Sequence, residues 1–123
     1  MHRPLMPVRH RLVPIGMIIG GLSLLAPCLS ASESNIGQGR KLALDPGKGN
    51  CIACHQFHGA KVRSNVGPKL EDMAHRYPDR AALRAQIWDA GVRNPRTLMP
   101  PFGRYGILSE DEIDAITDFV DSL

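Results

Sequence analysis

The sequence predicts an all-α domain of about three to five short helices joined by long irregular loops. Three observations carry that expectation. Apolar residues recur at helical spacing near the C-terminus (Ile113, Ile116, Val120, Leu123) and in a middle segment (Leu83, Ile87, Ala90). No strand-like alternation of apolar and polar residues stands out anywhere. The aromatic content is thin, with Trp88, two Tyr and three Phe, so a short chain needs something besides its own side chains at its centre.

The N-terminal stretch reads as an export signal. Arg3, Arg9 and Arg11 precede a run from Ile15 to Ala26 that is apolar apart from glycine and Ser23, and small residues follow at Ser30, Ala31 and Ser32. A bilayer-spanning helix needs about 20 apolar residues, more than this run supplies. Residues 1–31 are therefore expected to be a signal peptide, cut between Cys28 and Ser34, with residues 32–123 as a periplasmic domain that keeps no membrane attachment. Pro27 argues against lipidation of Cys28. Of the 15 Lys and Arg, three precede Ser32, and none of the 12 Asp and Glu do, so residues 32–123 carry 12 of each and no formal net charge. The basic balance of the whole chain belongs to the export signal, and no nucleic-acid partner is expected.

A first helix is expected from Ser34 or Asn35 to about Leu44, stopped by Asp45-Pro46-Gly47. Gly37 and Gly39 lie inside it at a cost of about 1 kcal/mol each against alanine. A close helix crossing at Gly39 would explain that cost; the plainer alternative is a frayed start.

Next comes Cys51-Ile52-Ala53-Cys54-His55. Two thiols separated by two residues and followed at once by histidine form the attachment sequence for c-type haem. Each thiol adds to one vinyl group, and the imidazole of His55 is delivered to one axial face of the iron. Rival readings fit less well. A redox dithiol belongs beside a βαβ pattern, a structural zinc site wants a second ligand pair that no later cysteine supplies, and a disulfide is the bland alternative. One covalently attached haem c is the reading carried forward, and it suits export, because such attachment is completed outside the cytoplasm in bacteria.

Gly67-Pro68-Lys69-Leu70 reads as a tight turn, in which the Pro68 carbonyl can accept the His55 Nδ1 proton and orient the ring, or as an ordinary surface turn. Glu71-Asp72-Met73-Ala74-His75 is a plausible short helix. Pro78-Asp79-Arg80 opens a longer one to about Ala90, ended by Gly91. Its Trp88 either touches the haem or is a buried indole with one hydrogen bond. Ser109-Glu110-Asp111-Glu112 is a capping box with acids suited to the helix dipole. The terminal helices are expected to pack together with Phe119 over Gly39.

Iron held by His55 needs a second axial partner. Met73, Met99, His58 and His75 are the candidates. Met99 lies in Asn94-Pro95-Arg96-Thr97-Leu98-Met99-Pro100-Pro101-Phe102-Gly103, where three prolines stiffen a loop too irregular for helix. A thioether on a rigid loop suits electron transfer, although core packing is the common role of a methionine. His58 follows His55 too closely to reach the opposite face. His75 is the main rival and would predict a lower potential. Arg93, Arg96 and Arg104 flank this loop, either as a docking contact for an acidic partner or as solvated charges.

With Gly39-Arg40-Lys41-Leu42, Cys51 to His55, Gly67-Pro68-x-Leu70, Met99-Pro100 and a terminal helix in that order, residues 32–123 resemble a class I cytochrome c. The resemblance implies His55/Met99 ligation, terminal helices crossing at Gly39 and Phe119, and electron transfer. Ala43 departs from it, since many members carry an aromatic there, and so does Glu71, where the pattern has a glycine shortly after Leu70. Gly49-Asn50-Cys51, Asn65-Val66-Gly67-Pro68, Leu83 to Trp88 and Arg93 to Phe102 are similar to the SoxX family, the small monohaem subunits of sulfur-oxidising bacteria. That narrower resemblance implies a heterodimer with a SoxA-like haem subunit. The pair would couple thiosulfate to a cysteine of the carrier SoxYZ, an L-cysteine S-thiosulfotransferase reaction, and pass electrons to an acceptor such as a small cytochrome c. Substrate chemistry would sit on the SoxA side, leaving this chain an electron-transfer role. A freely diffusing electron shuttle is the alternative, and a haem enzyme or sensor with an open sixth position is a third.

Overall fold

The computed structural model describes residues 28–61 and 64–123, so the expected signal peptide lies outside the described residues up to position 27. Four α-helices and two short 3-10 turns make up the described chain, in the order α1 (Cys28–Leu44), a turn at Cys51–Ala53, α2 (Met73–Arg76), α3 (Arg80–Trp88), a turn at Ala90–Val92 and α4 (Glu110–Asp121). No strand occurs among the described residues. The expected all-α class is the observed one.

Helix α4 is the centre of the packing. Its capping box forms as expected, Glu112 N donating to Ser109 Oγ at 3.2 Å and Ser109 N to Glu112 Oε2 at 3.0 Å. Ile113, Ile116, Phe119 and Val120 are all buried on its inner face. Full burial of side chains of this size stabilises by roughly 1.5–3 kcal/mol each, which is why a short amphipathic helix holds here.

Helix α1 crosses α4 at Gly39. A Cβ at that position would overlap the Ala115 carbonyl and stand 2.8 Å from Phe119 Cβ, whereas Gly37 has open space around it. The glycine cost expected at position 39 therefore permits a close crossing, and at position 37 it does not. Phe119 stands edge-on to Phe57, with centroids 5.5 Å apart and planes at 77°. Ala43, the departure from the family aromatic, is fully buried.

Two helix boundaries differ from expectation. Helix α1 is described from Cys28 rather than from Ser34 or Asn35, and nothing between Pro27 and Asn35 opposes helix. Along it, the Asn35 side chain lies 3.5 Å from Asp118 Oδ2 and Ile36 packs against the core. Helix α3 starts where expected, with Asp79 accepting from Ala81 N at 2.9 Å, but ends at Trp88 rather than about Ala90. Asp89 is extended there (φ −158°, ψ 91°) and its side chain accepts from Gly91 N, so local capping wins over continuation.

Helices α3 and α4 are tied along their exposed edges by a ladder of charges. Arg80 Nε lies 2.7 Å from Asp118, Arg84 Nε 2.8 Å from Asp114, Arg84 Nη2 2.6 Å from Glu110, and Trp88 Nε1 donates to Glu110 at 3.1 Å. Hydrogen bonds from Arg84 hold the Asp114 and Glu110 carboxyls below their ordinary pKa, and Trp88 adds to the effect at Glu110. A carboxylate with a depressed folded pKa contributes stability that is present above its unfolded value near 4 and lost as pH falls through the folded value. Arg84→Ala should therefore lower the thermal midpoint at neutral pH, and the difference from wild type should shrink as the pH falls from about 4 through the depressed folded values. Thermal scans over a pH series check this, and high salt should shrink the neutral-pH difference.

Candidate haem-binding site

The Cys51–Ala53 turn is set up by Asn50, which adopts the left-handed region (φ 45°) and re-aims the chain after the Asp45–Asn50 loop. His55 N then donates to Cys51 O at 2.8 Å, closing the motif into one turn. Cys51, Cys54 and His55 thereby line a single cavity of about 730 Å³ between the motif, α3, α4 and the loop that carries Met99. Leu83, Ile87, Ile116 and Val120 supply apolar wall from the two helices. A cavity this size is large for so small a chain and falls within the range of cofactor pockets.

Both cysteines are free thiols rather than a disulfide. Burial pushes the Cys51 thiol up to about 11, with the neighbouring Cys54 adding to the effect against an opposing backbone hydrogen bond. A thiol kept neutral at physiological pH is a poor redox nucleophile, which argues against the dithiol reading. Among the described residues no three His, Cys, Asp or Glu side chains converge to hold a metal ion.

His55 is oriented from behind. Its Nδ1 lies 2.6 Å from the Pro68 carbonyl, which fixes that nitrogen as the donor and leaves Nε2 unprotonated and able to bind a metal. Gly67 makes the approach possible, since a Cβ there would stand 2.6 Å from His55 Cε1 and 2.8 Å from Nδ1. Gly67 N donates to Cys54 O at 2.7 Å and Leu70 N to Gln56 O at 2.8 Å, so the turn is stitched along the motif itself. The Gly-Pro dipeptide signalled a turn in the sequence; the contact between glycine and imidazole is visible only in the fold.

Of the four candidates for the second axial position, Met99 and Met73 line the cavity. His75 is 85% exposed beside Asp72, and His58 is exposed; neither is part of the wall. Met73 is buried, with its sulfur 3.3 Å from Arg76 Nη1, so that thioether already has a polar neighbour. Met99 is half-buried on the far loop, its backbone N donating to Thr97 Oγ1 at 3.1 Å.

Other expected site residues are redistributed. Trp88 is half-buried, donates to Glu110 and packs on Gly103 without reaching the cavity wall, so its indole is structural. The three loop arginines do not form one free patch. Arg104 is paired with buried Asp89, Arg93 lies over the Tyr77 ring at 5.9 Å, and Arg96 alone of the three borders the cavity. Asp89 escaped sequence reasoning. Asp-x-Gly marks a local cap, but nothing local marks a buried carboxylate.

A family model for cytochrome c matches residues 37–123, and the chain belongs to the cytochrome c family. A comparison with curated proteins gave no match. Membership carries one covalently bound haem c, with Cys51 and Cys54 at the required spacing, and identifies the protein as a haem electron-transfer cytochrome. The residues fit the group: two thiols and an imidazole open into one apolar cavity. When bound, haem supplies reversible one-electron chemistry at its iron.

Gly67→Ala should displace the His55 ring and weaken its bond to Pro68, at a cost of about 1–3 kcal/mol. Chemical denaturation of the haem-loaded variant checks the cost, and a changed imidazole spectrum distinguishes ring displacement from remote destabilisation.

Proposed function

We propose that this chain is an exported His55/Met99 cytochrome c that serves as the electron-transfer subunit of a thiosulfate-oxidising complex of the SoxXA type. The observation that carries the ligand assignment is that Cys51, Cys54, His55 and Met99 border one apolar cavity while His58 and His75 face solvent. His55, oriented by Pro68, would take one axial face and Met99 the other. Held by a proline-rich loop, the sulfur would keep its position in both oxidation states, which favours rapid electron transfer. Among the described residues no helix is long and apolar enough to cross a membrane. Export by the N-terminal segment remains the reading of residues 1–31.

The narrower role rests on the likeness of Arg93 to Phe102 and of the segments around Cys51 and Gly67 to SoxX. In that reading a SoxA-like haem subunit holds the thiosulfate and the SoxYZ cysteine, and this chain accepts the electrons released. Leu98 and Val66, 82% and 59% exposed, both border the cavity, and an apolar rim of this kind suits a surface covered by a partner.

Met99→Ala should abolish the iron–sulfur charge-transfer absorption of the ferric protein and open the sixth site to carbon monoxide in the ferrous form. An unchanged absorption would remove Met99 from the iron. Affinity purification of the matured protein from thiosulfate-grown cells should recover a second c-type cytochrome in stoichiometric amount. Recovery of this chain alone, with normal thiosulfate growth after deletion of its gene, would favour a freely diffusing shuttle.

A further inference from the structure

The segment that carries Met99 is hydrogen-bonded almost wholly to itself. Thr97 N donates to Asn94 O at 3.0 Å, Phe102 N to Pro100 O at 3.0 Å and Ile107 N to Phe102 O at 2.9 Å. Pro95, Pro100 and Pro101 have no N–H to offer. Phe102 and Leu108 are its buried apolar anchors. Among the described residues, polar links from 94–108 to the rest of the chain lie in two places. Asn94 N donates to Ala90 O at 3.0 Å where the segment begins. The other link is a two-residue grip beyond Met99. Gly103 N donates to Trp88 O at 3.0 Å, and the Arg104 guanidinium pairs with Asp89.

The grip is specific in shape and in charge. Gly103 lies so close beneath the Trp88 indole that an added Cβ would overlap the ring. The indole is itself fixed by its bond to Glu110 at the start of α4. Asp89 is 3% exposed, and its Oδ1 is occupied by Gly91 N at 2.9 Å. Its Oδ2 is buried with no directed hydrogen bond; Arg104 stands against it in close contact that lacks hydrogen-bond alignment. A buried carboxylate left without its cation is strongly unfavourable, so Asp89 holds the end of the loop where Arg104 can reach it.

We infer that Trp88 and Asp89 latch Gly103 and Arg104 to keep the Met99 loop closed, which makes Asp89 and Arg104 positioning residues for the Met99 sulfur. The inference rests on the reading of Met99 as an iron ligand. Local opening of a segment is set by the contacts that tie it to the fold rather than by those within it. The latch therefore governs how often the sulfur leaves the iron and how readily an outside ligand enters.

The test mixes the ferric, haem-loaded protein with saturating imidazole and follows loss of the charge-transfer absorption, since imidazole enters only when Met99 leaves. Asp89→Asn and Arg104→Gln should take up imidazole about tenfold faster or more, because each removes one partner of an ion pair whose carboxylate is buried. Arg80→Ala, which breaks the α3–α4 ladder at Asp118 and leaves Glu110 and Trp88 untouched, should lower the thermal midpoint without changing that rate. Equal rates in all variants would overturn the inference. So would an acceleration in Arg80→Ala that matches Arg104→Gln at equal loss of thermal midpoint. If Asp89→Asn fails to accumulate as a haem protein, Arg104→Gln, with its side chain 52% exposed, carries the test alone. Met99→Ala separates the two readings. Retention of its absorption defeats the ligand assignment, whereas loss of the absorption with an unaccelerated Arg104→Gln defeats the latch.

Discussion

Two sulfurs and one imidazole, all from five consecutive residues, must face a single cavity, and the rest of the molecule is arranged to let them. The backbone turn that does this is held by the His55 N to Cys51 O bond and by the left-handed Asn50 before it. Everything opposite serves as wall. Helices α3 and α4 turn Leu83, Ile87, Ile116 and Val120 toward the cavity, and α1 braces α4 from outside through the Gly39 crossing. A chain with so few aromatics holds together on these terms because the prosthetic group supplies apolar surface at the centre.

The two sides of the cavity are stiffened by different means. On the His55 side the Gly67–Leu70 turn is bonded directly to the motif, through Cys54 O, Gln56 O and the imidazole itself. On the Met99 side prolines and internal bonds make a rigid loop, but the loop is joined to the fold mainly at its ends and through Phe102 and Leu108. The imidazole is thus built into the scaffold, while the thioether is carried on a piece that can move as a unit. If His55 and Met99 hold the iron as proposed, such an arrangement keeps the imidazole side fixed and leaves the thioether side adjustable through contacts remote from the cavity.

Charge is distributed with equal economy. The formal neutrality of residues 32–123 conceals a run of acids on α4 and an acid-free stretch from Ala90 to Ser109 that carries three arginines. The α4 acids are used against α3 and against Lys48, which lies 2.7 Å from Glu112. The arginines are used singly: one against a buried aspartate, one over an aromatic ring and one at the cavity border. A patch inferred from their proximity in sequence dissolves once each is given its neighbour.

The sequence by itself determined the fold class, the capping box of α4 and the cofactor motif, because each depends on spacing within one segment or on a residue type with a single physical use; it offered a crossing at Gly39 without deciding it against a frayed start. It also marked Gly67-Pro68 as a turn and Met99 as a stiffened loop residue. Only the tertiary structure decided the rest. It put Met99 and Met73 on the cavity wall, left His75 in solvent and turned Trp88 toward Glu110 rather than the cavity. These outcomes depend on which distant groups are brought within a few ångströms. Asp89 shows the reason most plainly: its burial and its pairing with Arg104 exist only after α3 and the Met99 loop have met.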